Sequence, residues 1–350
     1  MTEHDLADSP RLRVLVIGAS GTAGKATTKA LLDAGHSVTC FIRPDKNSQD
    51  DISSPTISQL PSAATVRYGD VTDVKSLYDD GFCHEQFDVL VSCLASRNGV
   101  PADAWAIDYQ AHKLALAAAV DAGVKHMVLL SAICVQRPRL VFQRAKLAFE
   151  QELISSGLTY SIVRPTAFFK SLSGQVDRVK KGKPFLLFGD GTLTSCKPIS
   201  DRDLGSYIAQ CLTDTKRHNK ILPIGGPGNA ITPREQGDQL FAMTHQTPRF
   251  RKIPIALINT IRMSLEILGR VNQTCADKAE FARIAHYYAT ESMLVFDTKA
   301  NHYDADATPS TGQDTLFEYY AQLIDGSSVV ERGEHALFKG DDKSQDETQA

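Results

Sequence analysis

The sequence has little that would indicate a metal site, a disulfide framework or a nucleic-acid partner. Its seven cysteines are widely spaced and include no C-x-x-C pair, the spacing that structural zinc sites and many redox sites use. Lys and Arg total 38 against 41 Asp and Glu, so the basic excess usual in nucleic-acid binders is missing. These absences predict a protein with reduced thiols, no metal and no nucleic-acid partner.

Long apolar runs are also missing. The longest clean run, Met127–Val135, carries Ser131 in its middle and is far shorter than the roughly 18 residues that a membrane-spanning helix needs. The first ten residues are polar and lean acidic, unlike a secretory signal or an organelle transit peptide. We therefore expect a cytoplasmic protein without a signal or transit peptide, and peripheral contact with a membrane stays open.

Length and charge suggest how the chain is divided. At about 150 residues per domain, 350 residues correspond to about two domains. The last twenty residues hold six acids and three bases, whereas the rest of the chain is balanced. We expect a disordered N-terminus at 1–10, a dinucleotide-binding domain at 11–165, a substrate-binding region at 166–325 interleaved with its sheet, and a flexible acidic tail at 326–350.

Strands and helices alternate through the first half of the chain. The expected strands are Arg11–Ile17, Ser37–Ile42, Thr65–Tyr68, Phe87–Ser92, His126–Leu130 and Thr159–Val163. The helices expected between them are a stretch ending at Ala34, then Asp73–Asp80, Ala104–Val120 and Val141–Ser155. This alternation predicts an α/β protein with a doubly wound parallel sheet, the Rossmann fold.

After about Pro165 the alternation breaks down, which suggests a smaller region added to the nucleotide-binding sheet. The elements expected there are short strands at Phe185–Phe188 and Ile221–Ile224, and helices at Asp201–Leu212, Pro233–Thr244 and Ile255–Leu268. The last of these helices has an apolar stripe, which fits a core position better than a membrane-surface face. A lid over an apolar ligand is the other reading. The segment 45–62, rich in Ser, Asp and Pro, is expected to be an exposed loop.

A glycine-rich loop follows the first strand. Gly18, Gly21 and Gly24 form G-x-x-G-x-x-G between a predicted strand and a predicted helix. Without Cβ atoms, such a backbone can approach a pyrophosphate whose charge lies at the helix N-terminus. The loop predicts a dinucleotide site that also includes the residues between the glycines, namely Ser20, Thr22 and Ala23.

The end of the second strand favours NADPH over NADH. Dinucleotide sites that prefer NAD place an acid on the ribose about 20 residues further on, whereas an arginine suits the 2′-phosphate of NADP. Arg43 lies nineteen residues after Gly24, with Lys46 nearby, and no acid occupies the strand end. The alternative for Arg43 is an ordinary solvated surface residue.

The ends of the third and fourth strands add candidate cofactor contacts. Asp70 and Val71 could border the adenine, although Asp70 could equally cap the following helix. Cys93, Leu94 and Ala95 could line the crevice at the carboxyl edge of the sheet. We expect Cys93 to be a small buried hydrophobic residue rather than a reactive thiol.

Ser131 ends the fifth strand, and Phe142-Gln-Arg-Ala-Lys146 opens the next helix. This order resembles the short-chain dehydrogenase/reductase superfamily, in which that strand supplies a serine and that helix carries Y-x-x-x-K. The resemblance implies a catalytic Ser131 and a Lys146 that holds the nicotinamide ribose. The tyrosine position is Phe142, which has no proton to give, so reduction of a ketone is put in doubt.

Val163-Arg-Pro-Thr-Ala-Phe-Phe169 is typical of the atypical branch of that superfamily and resembles the NmrA and isoflavone-reductase groups. In this branch Pro165 and Thr166 would face the nicotinamide. Phe168 and Phe169 would form an apolar wall for a flat substrate, or else belong to the core. Two basic segments, 164–183 and 136–146, could attract carboxylates or phosphates, or be solvated surface.

Longer stretches narrow the resemblance. They include Leu130–Gln136, Gly157–Gly174, Phe188–Ser200, Leu222–Gly228, Tyr288–Leu294 and Ala307–Gly312. Together they resemble the NADPH-dependent 8-vinyl reductases of divinyl chlorophyllide and divinyl protochlorophyllide, over roughly residues 12–338. The resemblance implies a tetrapyrrole substrate of chlorophyll or bacteriochlorophyll biosynthesis, with Lys170, Cys196 and Lys197 beside it.

The reaction implied by the resemblance is compatible with a phenylalanine at position 142. When a vinyl group conjugated to a macrocycle is reduced, the macrocycle can delocalise the negative charge, so a strong phenolic acid is not needed.

Three alternatives remain at this point. One is an NmrA-like NADP-sensing regulator without catalysis, and a second is an isoflavone-reductase-like reductase of a smaller conjugated alkene. The third is a redox-inert NADP binder within a respiratory assembly.

Overall fold

The structure is a computed structural model, and the residues that it describes are 11–44, 59–97 and 99–328. The predicted N-terminal segment 1–10 lies outside the described residues, as do most of the acidic tail and Lys46. Most of the predicted loop 45–62 lies outside them too. The described residues hold no helix with both the length and the apolar character to span a membrane.

Strands in the described residues follow the predicted order closely. Their bounds are β1 Arg13–Ile17, β2 Ser37–Ile42, β3 Thr65–Tyr68, β4 Val89–Ser92, β5 His126–Leu130, β6 Thr159–Pro165, β7 Phe185–Phe188, β8 Lys220–Ile224, β9 Phe250–Ile253, β10 Val295–Asp297 and β11 His302–Asp304. Seven of them form one parallel sheet in the order β3-β2-β1-β4-β5-β6-β8. The pairs β7–β9 and β10–β11 stand apart from it. The predicted doubly wound parallel sheet is confirmed.

Helices connect the strands on both faces of the sheet. The α-helices are α1 Thr22–Asp33, α2 Val74–Ser76, α3 Pro101–Asp103, α4 His112–Asp121, α5 Val141–Ser155, α6 Phe169–Leu172, α7 Val176–Lys180, α8 Asp201–Gln210, α9 Pro233–Met243, α10 Ile255–Leu268, α11 Gln273–Thr290 and α12 Leu316–Asp325. Wider π-helical turns at Leu77–Phe82 and Ala104–Ala111 continue α2 and precede α4. The helices predicted at Asp73–Asp80 and Ala104–Val120 are therefore only partly α-helical.

Side chains of β1 alternate between two cores. Val14 and Val16 pack toward α1 and α8, whereas Leu15 and Ile17 pack toward α4 and α5. All four are fully buried, as expected for a central parallel strand covered on both faces. The strand order reverses between β1 and β4, and this is the point at which doubly wound sheets bind ligands at their carboxyl edge.

Two contacts tie the second half of the chain to the sheet. Strand β8 pairs with β6 as the seventh strand, and α8 packs on α1 through Gly205. A Cβ at Gly205 would lie 2.7 Å from the backbone of Ala26, so only glycine permits this close approach. The segment that follows β6 therefore completes the nucleotide-binding sheet.

A third core lies beyond the sheet. Phe185 and Leu187 of β7 pack there with Phe241 of α9 and Tyr320 of α12. The Tyr320 hydroxyl donates to the Leu172 carbonyl at 2.7 Å. This core holds the residues after β6 against the carboxyl edge of the sheet, where the candidate site lies.

Candidate functional site

The glycine loop joins β1 to α1 at the carboxyl edge of the sheet. Gly18 has a φ of +76°, and a Cβ there would lie 2.6 Å from the backbone carbon of Cys93. A Cβ on Gly24 would lie 2.2 Å from the Gly18 carbonyl oxygen, but one on Gly21 would meet nothing closer than 3.6 Å. Two glycines therefore permit tight packing, and the third leaves the backbone open where a pyrophosphate would bind.

The surroundings of the loop also fit a phosphate. Gly21 is the N-cap of α1, and no side chain caps that helix. Ser20 is exposed and Thr22 and Ala23 are half-buried. The Lys170 ammonium donates a hydrogen bond to the Thr22 hydroxyl. Lys170 was predicted to contact the substrate, but in this arrangement it lies at the glycine loop, because α6 follows β6 directly at the same sheet edge.

Residues after β2 and β3 lie beside this loop on the adenosine side of the predicted site. Arg43 is exposed just after β2. Asp70 accepts hydrogen bonds from the Thr72 amide at 2.8 Å and from its hydroxyl at 2.7 Å. Burial opposes ionisation of Asp70, but these bonds and the Arg43 charge leave its pKa below the ordinary value. The alternative role of Asp70 as a helix cap is wrong, because Asp73 caps α2. Val71 is 8% exposed and packs in the core.

Residues after β4 and β6 line the sheet edge as predicted from their position. Cys93 contacts the Thr27 hydroxyl, and burial raises the pKa of its thiol to about 12, so it is an unreactive thiol. Leu94 is half-buried and Ala95 is exposed.

Strand β6 extends to Pro165, two residues beyond its predicted end. The Thr166 hydroxyl donates to the Lys197 carbonyl and is therefore occupied in holding the neighbouring segment. Pro165 and Thr166 are both buried.

Lys146 is held by a buried carboxylate. Its ammonium lies 2.9 Å from Asp108 Oδ1, and the side chains are 11% and 0% exposed. Asp108 also accepts from the Ser96 hydroxyl at 2.6 Å and from the Ser96 amide at 3.2 Å. Burial alone would raise the pKa of Asp108. The charge of Lys146 and the side-chain hydrogen bonds from Ser96 and Lys146 outweigh this effect, so the pKa lies below its ordinary value. The pair fixes the direction of the Lys146 side chain.

Ser131 has a partner that the sequence did not reveal. Its hydroxyl donates to Glu150 Oε1 at 2.5 Å, and Glu150, fully buried, is also paired with Arg164. The Ser131 hydroxyl therefore donates its proton to a carboxylate that also forms an ion pair with Arg164. The Ser131 hydroxyl is thus hydrogen-bonded at the end of β5, and its catalytic role stays a prediction.

The predicted aromatic wall is split between two environments. Phe168 is half-buried against the sheet core, whereas Phe169 is 5% exposed and lies in the third core. The Phe169 ring packs on Tyr319 with centroids 5.7 Å apart. Phe169 is thus a core residue, the alternative considered for it, because the start of α6 turns successive side chains in different directions.

The predicted substrate residues Cys196 and Lys197 are also engaged in the fold. Cys196 is 6% exposed and its backbone bridges Ile231 and Met293. Burial raises the pKa of its thiol to about 12. The Lys197 ammonium donates to the Thr308 carbonyl at 3.0 Å, which ties it to the chain after β11.

The two basic segments carry partners that reduce their charge. Arg137 and Arg139 both pair with Glu291, which is itself 5% exposed in its side chain. Arg137 also lies over the Phe296 ring at 4.5 Å. In the other segment, the Lys180 ammonium donates to a backbone carbonyl. These three bases therefore hold elements of the fold together.

Helix α11, which the sequence did not predict, covers the region around Phe142. Phe142 packs in a cluster with Cys134 and Tyr287. The Tyr287 hydroxyl donates to the Cys134 carbonyl at 2.9 Å. The next residue, Tyr288, is 38% exposed. A phenol thus lies near the helix position where the superfamily pattern lacks one.

A narrow gap with no room for a water molecule lies beside Lys146, between Asp108, His112, Ser131 and Phe149. Ordinary ligand pockets measure about 300–1,000 Å³, so this gap is too small for a large planar substrate.

Sequence reasoning missed Asp108 and Glu150. The sequence did contain a signal for Asp108. This acid lies four residues after Ala104 and three before Ala111, and this spacing places it on the apolar face of its helix.

The fold and the glycine loop define a Rossmann-type NAD(P)H-binding protein. The sequence model of the NAD(P)H-binding family matches residues 18–215. Solved structures with the same fold include a leucoanthocyanidin reductase–NADPH complex from Vitis vinifera, at TM-score 0.65 and 16% identity over 89% of this chain and 99% of that one. An NADPH-dependent quinone oxidoreductase from Escherichia coli, solved with NADPH, matches at TM-score 0.62 and 17% identity over the same shares.

Curated relatives narrow the class. The divinyl chlorophyllide a 8-vinyl-reductase of Oryza sativa subsp. indica, named as chloroplastic, is 46% identical over 93% of this chain and 82% of its own length. The enzyme of the same name from Arabidopsis thaliana is 45% identical over 94% of this chain and 83% of its own. The chain belongs to the divinyl chlorophyllide a 8-vinyl-reductase family.

Proposed function

We propose that this protein reduces the 8-vinyl group of divinyl chlorophyllide a to an ethyl group, with NADPH as the reductant. The observation that carries the proposal is the 46% identity to the Oryza sativa reductase over 93% of the chain. The sheet edge and the glycine loop supply the dinucleotide site that this reaction needs. Divinyl protochlorophyllide, whose macrocycle carries the same vinyl group, is the second substrate to test.

Residues on three loops would hold the cofactor. The backbone at Gly21 and the N-terminus of α1 fit the pyrophosphate, with Lys170 as a neighbouring cation. The exposed guanidinium of Arg43 would hold the 2′-phosphate, which NADH lacks. Lys146 would hold the nicotinamide ribose, with its direction fixed by Asp108.

When bound, NADPH supplies a hydride to the vinyl group. The chain contributes orientation and exclusion of water, and the proton that completes the reduction comes from water or from a side chain. The gap beside Lys146 is too small for a macrocycle. The substrate would therefore lie outside this gap, with its vinyl edge turned toward Lys146 and the remaining ring over Phe168 and α11.

The test is to incubate the purified protein with NADPH and divinyl chlorophyllide a and to follow the pigment's absorption bands. We expect a monovinyl product, with one NADPH oxidised per vinyl group. NADPH binding without oxidation in the presence of either divinyl pigment would instead identify an NADP-sensing regulator. Turnover of a smaller conjugated alkene alone would identify the isoflavone-reductase-like alternative.

The expected cytoplasmic location stays a prediction, while the relatives are named as chloroplast proteins.

Peripheral membrane contact has support in α10. The predicted apolar stripe consists of Ile258, Ile261, Leu265 and Leu268. Ile258 is buried and Leu265 half-buried, but Ile261 and Leu268 are 48% and 53% exposed, so the core assignment is wrong for these two residues. Exposed bases lie at both ends of the helix, Arg251 before it and Arg270 after it. An apolar face between bases is typical of helices that lie on anionic bilayers.

A further inference from the structure

Most titratable groups around Lys146 already form hydrogen bonds or ion pairs within the fold. Lys146 is paired with Asp108, and Ser131 donates to Glu150. Both ring nitrogens of His112 are hydrogen-bonded inside the core, at 2.8 Å each, and burial lowers its pKa to about 4. Ser131 and His112 therefore have their hydrogen-bonding protons engaged within the fold, and Lys146, paired with Asp108, is the group assigned to the nicotinamide ribose.

Two adjacent tyrosines of α11 differ in their availability. Tyr287 is 3% exposed, and its hydroxyl donates to the Cys134 carbonyl at 2.9 Å. Tyr288 is 38% exposed, and its ring meets that of Tyr287 edge to face, with centroids 5.7 Å apart. Tyr287 is thus a structural phenol, whereas Tyr288 keeps a surface that a ligand can reach.

Tyr288 is close to the reaction centre. Its hydroxyl lies within hydrogen-bonding reach of the Cys134 thiol. Cys134 follows the end of β5, and Lys146 is near enough for its positive charge to act on the pKa of the Cys134 thiol. Phe142, which stands at the superfamily's tyrosine position, packs in the same cluster as Cys134 and Tyr287. A phenol from α11 therefore lies beside the place where the phenol of Y-x-x-x-K is missing.

We propose that Tyr288 is the proton donor of the reduction. This rests on the proposed function. A hydride adds to the terminal vinyl carbon, and the electron pair of the double bond moves to the inner carbon and into the macrocycle. The Tyr288 O–H bond then breaks, its proton forms the new C–H bond at the inner carbon, and the phenolate takes a proton from water. The vinyl group gains a hydride and a proton, and NADPH leaves as NADP⁺.

The environment of Tyr288 suits this task. Burial, with the neighbouring Cys134 and Tyr287, holds the pKa of the Tyr288 phenol well above its ordinary value. The group is therefore fully protonated at neutral pH and ready to donate. A phenol is a weak acid, but it need only protonate a carbanion-like centre, which is a far stronger base.

The experiment compares Tyr288→Phe with Tyr287→Phe, which removes the adjacent hydroxyl from the same helix. For Tyr288→Phe we expect kcat on divinyl chlorophyllide a to fall about 100-fold or more, the usual contribution of a general acid. The KM for the pigment and the Kd for NADPH, measured by cofactor fluorescence, should stay within about twofold. Tyr287→Phe should lower the melting temperature and keep kcat within about threefold. Tyr288→His, which keeps a donor, should recover part of the lost rate.

The outcomes separate the two proposals. A wild-type protein that binds NADPH and reduces no divinyl pigment overturns the proposed function and this inference with it. An active wild type with an equally active Tyr288→Phe overturns the inference alone. Equal loss of kcat in Tyr287→Phe and Tyr288→Phe, or no recovery in Tyr288→His, shows a structural role for this helix turn and also overturns it. If Tyr288→Phe fails to fold, the rate of Tyr288→His against wild type decides the question.

Discussion

At the scale of single residues, Lys146 is positioned by the buried carboxylate of Asp108. Asp108 is completely buried and Lys146 nearly so. Removing one partner of such a pair leaves an uncompensated buried charge, which typically costs about 3–5 kcal/mol. The same carboxylate therefore contributes to folding and sets the direction of the group that would hold the ribose.

This arrangement predicts the effect of Asp108→Asn. We expect the free energy of unfolding, measured in urea, to fall by about 3 kcal/mol, and NADPH binding to weaken because Lys146 loses its fixed direction. The matched control is Glu152→Gln, which breaks the exposed pair of Lys113 and Glu152 and should change the free energy of unfolding far less, because water screens that pair. Equal losses in the two variants would contradict the role of burial.

Arg43 gives a prediction about cofactor choice. Removing a charge-assisted contact to the 2′-phosphate costs about 1.5–3 kcal/mol, so Arg43→Ser should raise the Kd for NADPH about 10- to 100-fold. The Kd for NADH should change little, because NADH has no phosphate there. Arg11→Ser is the control, since Arg11 is exposed at the amino end of β1, the opposite edge of the sheet. A similar shift for both cofactors would assign Arg43 to the surface.

The positions of candidate-site residues could be predicted from the sequence only where a residue directly follows a strand, because the strand then fixes its position in the fold. Gly18, Gly24 and Arg43 follow strand ends, and strand order brings such ends to one sheet edge. The partners of Ser131 and Lys146 were not predictable, because a hydroxyl or an ammonium can reach several carboxylates. Tertiary packing, which burial controls, selects Glu150 and Asp108.

At the scale of elements, α10 is the part of the described chain whose surface is least suited to water. Leu257, Met263 and Ile267 are each at least half exposed, at 50%, 51% and 62%. Single exposed apolar residues are ordinary, but a continuous apolar helix face generally marks an interaction surface. The basic residues at its ends favour an anionic bilayer as the partner.

We therefore expect the protein to sediment with vesicles that contain anionic lipid, and less with zwitterionic vesicles or at high salt. The double variant Ile261→Glu/Ile267→Glu should bind at least about tenfold more weakly, since each buried aliphatic side chain contributes about 1.5–3 kcal/mol. Val120→Glu, at a 45% exposed position on α4, should bind as wild type does. Equal binding of the double variant and wild type would rule out this face.

Elements with a strong periodic pattern matched the sequence prediction. The bounds of β2, β3, β5, α5 and α10 are those predicted. Helix α11 was missed because its residues, rich in Ala, form no clear apolar stripe, and its position depends on packing against α10 and Phe142. The π-helical turns were not predictable either, since a wider turn has no simple sequence pattern.

At the scale of the whole molecule, the sheet depends on both halves of the chain. Strand β8 forms one edge of it, and α8 covers the face that α1 shares. The predicted boundary near residue 165 stays a prediction, and both sides of it contribute to one sheet core. Within that core the buried polar groups decide how the stability of the protein depends on pH.

His112 and His126 are buried at 1% and 6% exposure. Burial lowers the pKa of each to about 4, helped by the charge of Lys146 near His112 and by His218 near His126. In the unfolded chain both titrate near 6.5, so between about pH 7 and 4 the unfolded state binds more protons than the folded state. Stability must therefore fall as the pH is lowered through this range.

We expect the free energy of unfolding to drop by about 3 kcal/mol between pH 7.5 and 5.5, measured by urea unfolding, since each histidine contributes about 1.4 kcal/mol there. His126→Gln should remove about half of this dependence, because the glutamine can keep the hydrogen bond to Ser161 but binds no proton. His302→Gln, at an exposed position, should leave the dependence unchanged. A flat profile in the wild type would mean that water reaches both imidazoles in the folded protein, since only exclusion of water keeps them neutral.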